Sequence, residues 1–233
     1  MSIRIALALC AALLSCHSQA AHLQDSVPGS AASAPAVSQD LPPEGLAELA
    51  ATVRGYVEEG AIVGAELLVI KNRHTVLHEA VGWRDREEQT LMERNTIFNI
   101  RSMTKPLVAA AVQMLVDEGR LALGDRVSEY LPGFAGGASG EITIEHLLTH
   151  RSGLPVSIVS RLDEYESLYA MANAAGERGV QFAPGSRFWY SDAGADVLGA
   201  VVERVAGMPL EEFLRLRLFE PLYMSDTRAA RSR

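Results

Sequence analysis

Ser102-Met103-Thr104-Lys105 stands where an extended run, Thr96 to Ile100, gives way to apolar residues at helical spacing. Those residues are Leu107, Val108, Ala111, Met114 and Leu115, and Gly119 supplies a stop. The spacing predicts that Ser102 opens a helix and that Lys105 follows one turn later on the same face. A serine hydroxyl is a weak nucleophile until a neighbouring base takes its proton, and a lysine at that spacing is placed to assist. The positive end of the helix favours negative charge developing at Ser102. The chain has only two lysines, Lys71 and Lys105, among 21 basic residues. Arginine stays protonated whereas a buried lysine shifts its pKa readily, so a lysine here is suggestive. Taken alone, Ser-x-x-Lys also fits an N-cap serine with a solvated lysine, and the downstream motifs decide.

With 233 residues and 48% apolar content, the chain has room for one substantial domain or two small ones. A net charge of −8 without any basic run argues against a nucleic-acid partner. Met1 to Arg4 carries one positive charge, Ile5 to Leu14 is a short apolar run, and small residues follow, which is the pattern of an export leader. Residues 1–20 read as a signal peptide cleaved after Ser18-Gln19-Ala20. Alternatively, residues 1–15 form a lipoprotein leader, with Cys16 the lipidated first residue and an attachment to the bacterial envelope. Either way the protein is expected to be exported, in the periplasm or lipid-anchored. Both cysteines, Cys10 and Cys16, lie in this leader, so the body of the protein has no disulfide and no cysteine nucleophile. Residues 21–45, rich in Ser, Ala, Pro and Gly, read as a flexible linker.

Beyond the linker, Leu46 to Glu59 has a helical apolar face of Leu46, Leu49, Val53 and Val57. Ile62 to Ile70 and Thr75 to Trp83 read as two strands joined by a turn at Lys71-Asn72-Arg73-His74. From Ser102 the pattern is helix and loop. Segments run through Leu121–Leu131, Ile144–His150, Asp163–Ala175, Gly194–Ala206 and Leu210–Phe219, punctuated by Gly and Pro. The expected class is α+β, with an N-terminal helix and hairpin followed by a mostly helical part.

Four motifs in order resemble the serine β-lactamase and penicillin-binding-protein superfamily, in particular its class C-like and esterase branch. They are Phe98 to Lys105, Ile142 to Pro155, Pro184 to Gly194, and Phe219 to Thr227, the last with Tyr223 where glycine is usual. The resemblance covers Leu46 to Thr227 and makes residues 46–233 a hydrolase domain of that fold. It implies that Ser102 is the nucleophile of an acyl-enzyme, that Lys105 lies within hydrogen-bond reach, and that Tyr190 is the general base or relays the proton with Lys105. A tyrosine of ordinary pKa needs nearby positive charge for this, and Lys105 supplies it. Asp192 stands where the family's Tyr-x-Asn motif has asparagine. An ionised carboxylate only accepts hydrogen bonds, so Asp192 favours an amine-bearing substrate or a protonated Lys105, and disfavours β-lactam turnover. Ser157 falls where class C enzymes carry a substrate-contacting glutamine. The implied substrate is a small-molecule ester, amide or peptide.

His146 and His150 share a helical face, but a zinc protease needs glutamate directly after the first histidine and this chain has Leu147. No third ligand is marked, so packing and loop-anchoring are expected of them, with no metal and no cofactor. The family's later Lys/His-Ser/Thr-Gly strand, which supplies one oxyanion-hole N–H, is absent from the 233 residues. Loss of one such donor costs about a hundred- to a thousandfold in rate. The expectation is an incomplete, truncated domain with weak activity and exposed apolar surface, the alternative being a non-catalytic remnant or binding module of the same fold.

Overall fold

The computed structural model describes residues 41–158 and 164–228, so the leader, Cys16 and most of the linker lie outside the described residues. Two compact units divide at Arg94/Asn95.

In the first unit, helix α1 (Pro43–Glu58) begins with Pro43 at its first position, where a missing N–H costs nothing. It therefore starts inside the span read as linker. Ala50 is its buried residue, and Leu49, placed on the inner face by periodicity, is 40% exposed. Strands β1 (Gly64–Lys71), β2 (His74–Asp85) and β3 (Thr90–Leu91) form an antiparallel sheet in that order. Asn72 and Arg73 both have positive φ, at 50° and 66°, as a two-residue hairpin turn following the strand twist requires. Gly64 pairs with Gly82, whose φ is +75°. A Cβ there would lie 2.6 Å from the Val63 carbonyl oxygen and 2.8 Å from the Val57 side chain, so only glycine lets α1 settle over this strand. Arg54 pairs with Glu79 at 2.7 Å, and His78 with Glu66 across the strands at 2.6 Å. Leu68 and Ile70 on β1 are 50% and 60% exposed.

The second unit is helical. Helix α2 (Thr104–Asp117) follows a 3₁₀ turn, Arg101–Met103, and α3 (Ile144–Leu148), α4 (Leu168–Arg178), α5 (Asp192–Ala206) and α6 (Leu210–Leu214) complete it. Helix α5 is the centre, in contact with α2, α3, α4 and α6. It is apolar almost all round, with Ala193, Val197, Leu198, Ala200, Val201 and Val202 buried, as a helix enclosed by others must be. Ser191 caps its start and Gly207, in the left-handed region, ends it. Phe134, Phe213, Leu131 and Leu147 fill the spaces around it. Full burial of each such side chain contributes about 1.5–3 kcal/mol.

The segment Leu121–Leu131, read as short helix and loop, is loop with a single 3₁₀ turn, Val127–Glu129. Asp125 is the cause. Its carboxylate accepts the Ala122 N–H at 2.7 Å and the Tyr130 hydroxyl at 2.6 Å, offering the backbone an alternative to helical bonding. Among the described residues no helix is long and apolar enough to cross a membrane.

Candidate active site

Ser102 sits in the 3₁₀ turn that leads into α2. Arg101 before it adopts a left-handed φ of 49°, held by an Asn99 Oδ1 that accepts the Arg101 N–H at 3.1 Å. One turn on, Lys105 Nζ donates to Ser102 Oγ at 3.1 Å. The same ammonium lies 2.6 Å from Asp192 Oδ1, the first residue of α5. That carboxylate oxygen is buried, with the lysine as its counter-charge.

Tyr190 arrives on the loop before α5. This loop is fixed to the end of α3 by two backbone bonds, Trp189 N–H to the His150 carbonyl at 2.7 Å and Gly185 N–H to the Arg151 carbonyl at 2.8 Å. Gly153 lets the two segments approach. Its φ is +81°, and a Cβ there would fall 2.3 Å from the Phe182 carbonyl oxygen. Ser191 anchors the junction. Its hydroxyl donates to the Pro155 carbonyl at 2.7 Å and accepts the Gly194 N–H at 2.9 Å, and its own N–H donates to His150 Nδ1 at 3.2 Å.

The three groups are electrically coupled. Hydrogen bonds from Lys105 and Ser102 hold the Tyr190 phenol below the ordinary tyrosine range. Burial acts to lower the Lys105 pKa, but hydrogen bonds and attraction from Asp192 and Tyr190 together raise it. Lys105 is therefore an ammonium at neutral pH, a source of positive charge rather than a free base. The cavity beside them, of about 330 Å³, is lined by Ser102, Lys105, His150 and Tyr190 at its polar end. Pro106, Ala109, Leu147, Leu148, Ala195 and Leu198 form the apolar remainder. A larger groove of about 940 Å³ lies along α4, lined by Ser139 and Ser167 among others. Both serines are engaged with backbone there, Ser139 donating to the Gly176 carbonyl and Ser167 capping α4, so the smaller cavity is the chemical one.

Ser102, Lys105, Tyr190 and Asp192 thus come together. Ser157 is exposed on the neighbouring loop, one residue past Val156, whose carbonyl accepts the Asp192 N–H at 2.7 Å. His146 caps α3 at its start, its Nδ1 accepting the Thr143 N–H at 3.3 Å. Sequence reasoning missed one group and gave a second only a packing and loop-anchoring role. Asp196, one turn beyond Asp192, is raised to about 6 by burial and by the Asp192 charge. His150 has its ring 4.7 Å from that of Tyr190. Its φ of 54° is left-handed, which costs a non-glycine residue about 1–2 kcal/mol.

The model of the beta-lactamase family matches residues 49–233, more than half of the chain. The chain belongs to this family. Esterase EstB of Burkholderia gladioli is 39% identical over 202 residues, covering 77% of this chain and 50% of the esterase. Among solved structures, EstCE1, described as a hydrolase with promiscuous acyltransferase activity, superposes with a TM-score of 0.69 at 33% identity. That match covers 77% of this chain and 52% of EstCE1. The D-amino acid amidase of Ochrobactrum anthropi, complexed with L-phenylalanine amide, gives 0.66 at 26% identity, covering 77% and 50%. The chain spans about half the length of these family members. The mixed fold, a small sheet with several helices, is that of the family.

Proposed function

We propose that the chain acts on small ester or amide carbonyls through an acyl-enzyme on Ser102. The observation that carries this reading is the placement of Lys105 Nζ, 3.1 Å from Ser102 Oγ, 2.6 Å from Asp192 Oδ1 and 4.8 Å from the centroid of the Tyr190 ring. Tyr190 takes the Ser102 proton as Oγ attacks the carbonyl, and the Lys105 ammonium stabilises the phenolate form that does so. Tyr190 then returns the proton to the departing alcohol or amine. A water, deprotonated by the same route, releases the acid. The Ser102 N–H at the start of α2 is one donor for the oxyanion.

The carboxylate of Asp192 cannot donate to an acyl carbonyl as an amide would, which favours esters and amine-bearing amides over β-lactams. The esterase and amidase relatives support the same range. The leader-like residues 1–20 support export, either as a soluble periplasmic protein or anchored through Cys16.

Labelling with a fluorescent fluorophosphonate tests the reading. Wild-type protein is expected to take one label, located on Ser102 by peptide mapping, and Ser102→Ala none. A well-folded wild type that takes no label would favour a non-catalytic module of the same fold.

A further inference from the structure

The strained backbone at His150 belongs to a helix ending that glycine ordinarily provides. Arg151 N–H bonds to the His146 carbonyl at 2.7 Å and His150 N–H to the Leu147 carbonyl at 3.1 Å, a Schellman ending with His150 at the left-handed position. Glycine or asparagine fits there without penalty, so the imidazole is retained against the local preference. Non-glycine residues held in sparsely populated backbone regions cluster at functional sites. This one lines the cavity beside Ser102.

Its surroundings are specific. Nδ1 accepts the Ser191 N–H at 3.2 Å, which places the ring proton on Nε2. One face of the ring lies against Tyr190, with centroids 4.7 Å apart and planes inclined by 32°. Phe188 meets it edge-on at 5.9 Å. The Tyr190 phenol also meets Lys105, whose Nζ is 4.8 Å from the ring centroid. The phenol is therefore in contact with both an imidazole and an ammonium.

Resting on the hydrolase reading above, we propose that His150 is a positioning residue for Tyr190. Tied to the Ser191 N–H through Nδ1, its ring packs against the phenol and fixes it beside Lys105. The charged groups facing it are Lys105 from α2 and Asp192 from α5. Burial and the Lys105 charge resist a proton on the ring, while Asp192 acts in the opposite sense.

The test uses His150→Asn and His150→Gly, both suited to the left-handed backbone and both lacking the ring. Acylation by the fluorophosphonate is followed against concentration and from pH 5 to 9, with thermal unfolding alongside. Both variants are expected to stay folded, the relief of the left-handed backbone offsetting the lost acceptor for the Ser191 N–H. Their maximal acylation rate should fall about 10–100-fold, the scale of a misplaced reacting group, while the half-saturating concentration holds. The acid limb should move to higher pH as Tyr190 loses its close contact with Lys105. Wild-type rate and pH profile in both variants overturn the proposal, as does a lower rate with an unmoved profile. A folded wild type that is never acylated removes the hydrolase reading itself and the role with it. Nitrogen NMR of the wild type adds an independent arm. His150 is expected as the Nε2–H tautomer, still neutral where a free imidazole has begun to protonate, and an Nδ1–H ring refutes the assignment.

Discussion

Lys105 and Asp192 form an ion pair of 2.6 Å in which a buried carboxylate oxygen faces an ammonium that also donates to the Ser102 hydroxyl. Asp192 raises both the Lys105 pKa and, by repulsion of the phenolate, that of Tyr190. Replacing it by asparagine removes both effects. Asp192→Asn is thus expected to extend acylation to lower pH, read as a higher ratio of rates at pH 6 and pH 8. The new amide also gains the ability to donate to an acyl carbonyl, so labelling by a fluorescent penicillin should improve relative to an activated ester.

The Lys105 ammonium is asked to orient Ser102 and to stabilise a phenolate. Lys105→Ala should lower the acylation rate by about 10²–10⁴-fold, the usual scale for loss of a group assisting proton transfer. Lys105→Arg should not restore it, because a planar, bulkier guanidinium does not reproduce the position of a compact ammonium. Stopped-flow burst kinetics with a nitrophenyl ester measure both.

Ser191 is fully buried and makes three hydrogen bonds, to α5, to the Pro155 carbonyl and to His150. Ser191→Ala keeps the backbone bond to His150 but loses the cap and leaves the Pro155 carbonyl without its hydroxyl donor. The expected destabilisation is about 1–2 kcal/mol by urea unfolding. A slower acylation should accompany it, since Tyr190 is the adjacent residue.

Asp196 is raised from its ordinary value to about 6 by burial and by Asp192. The folded state thus binds its proton more tightly than the unfolded chain does, so stability is lost as pH rises from about 4 to about 6. Asp196→Asn avoids this loss. Its unfolding midpoint should exceed that of wild type at pH 7.5 by on the order of 2–3 kcal/mol, and the gap should close near pH 4. Denaturant titrations at the two pH values give the answer.

Local patterns made much of the molecule readable. The apolar stripe from Leu107 to Leu115 and the dense run from Ala193 to Val202 announce helices because burial demands their periodicity. Lys71 to His74 announces a hairpin because two strands need a tight turn between them. Ser102 and Lys105 are one turn apart and so are visible together. Tyr190 is eighty-eight positions from Ser102 (190 − 102), and only a family motif connects them. The role of His150 depends on a backbone N–H forty-one residues away and on a left-handed φ, neither of which periodicity records. The loop at Leu121–Leu131 carries helix-compatible spacing, yet one carboxylate, Asp125, redirects its bonding.

Ser102, Lys105, Tyr190 and Asp192 all come from one unit, and the interval from Asn99 to Asp192 holds them together with the Asn99 side chain that fixes the turn at Arg101. The genetic corollary is direct. Recombination breakpoints anywhere outside those codons transmit the serine, the lysine and the tyrosine as a single heritable cassette, free to be joined to new flanking sequence without being taken apart.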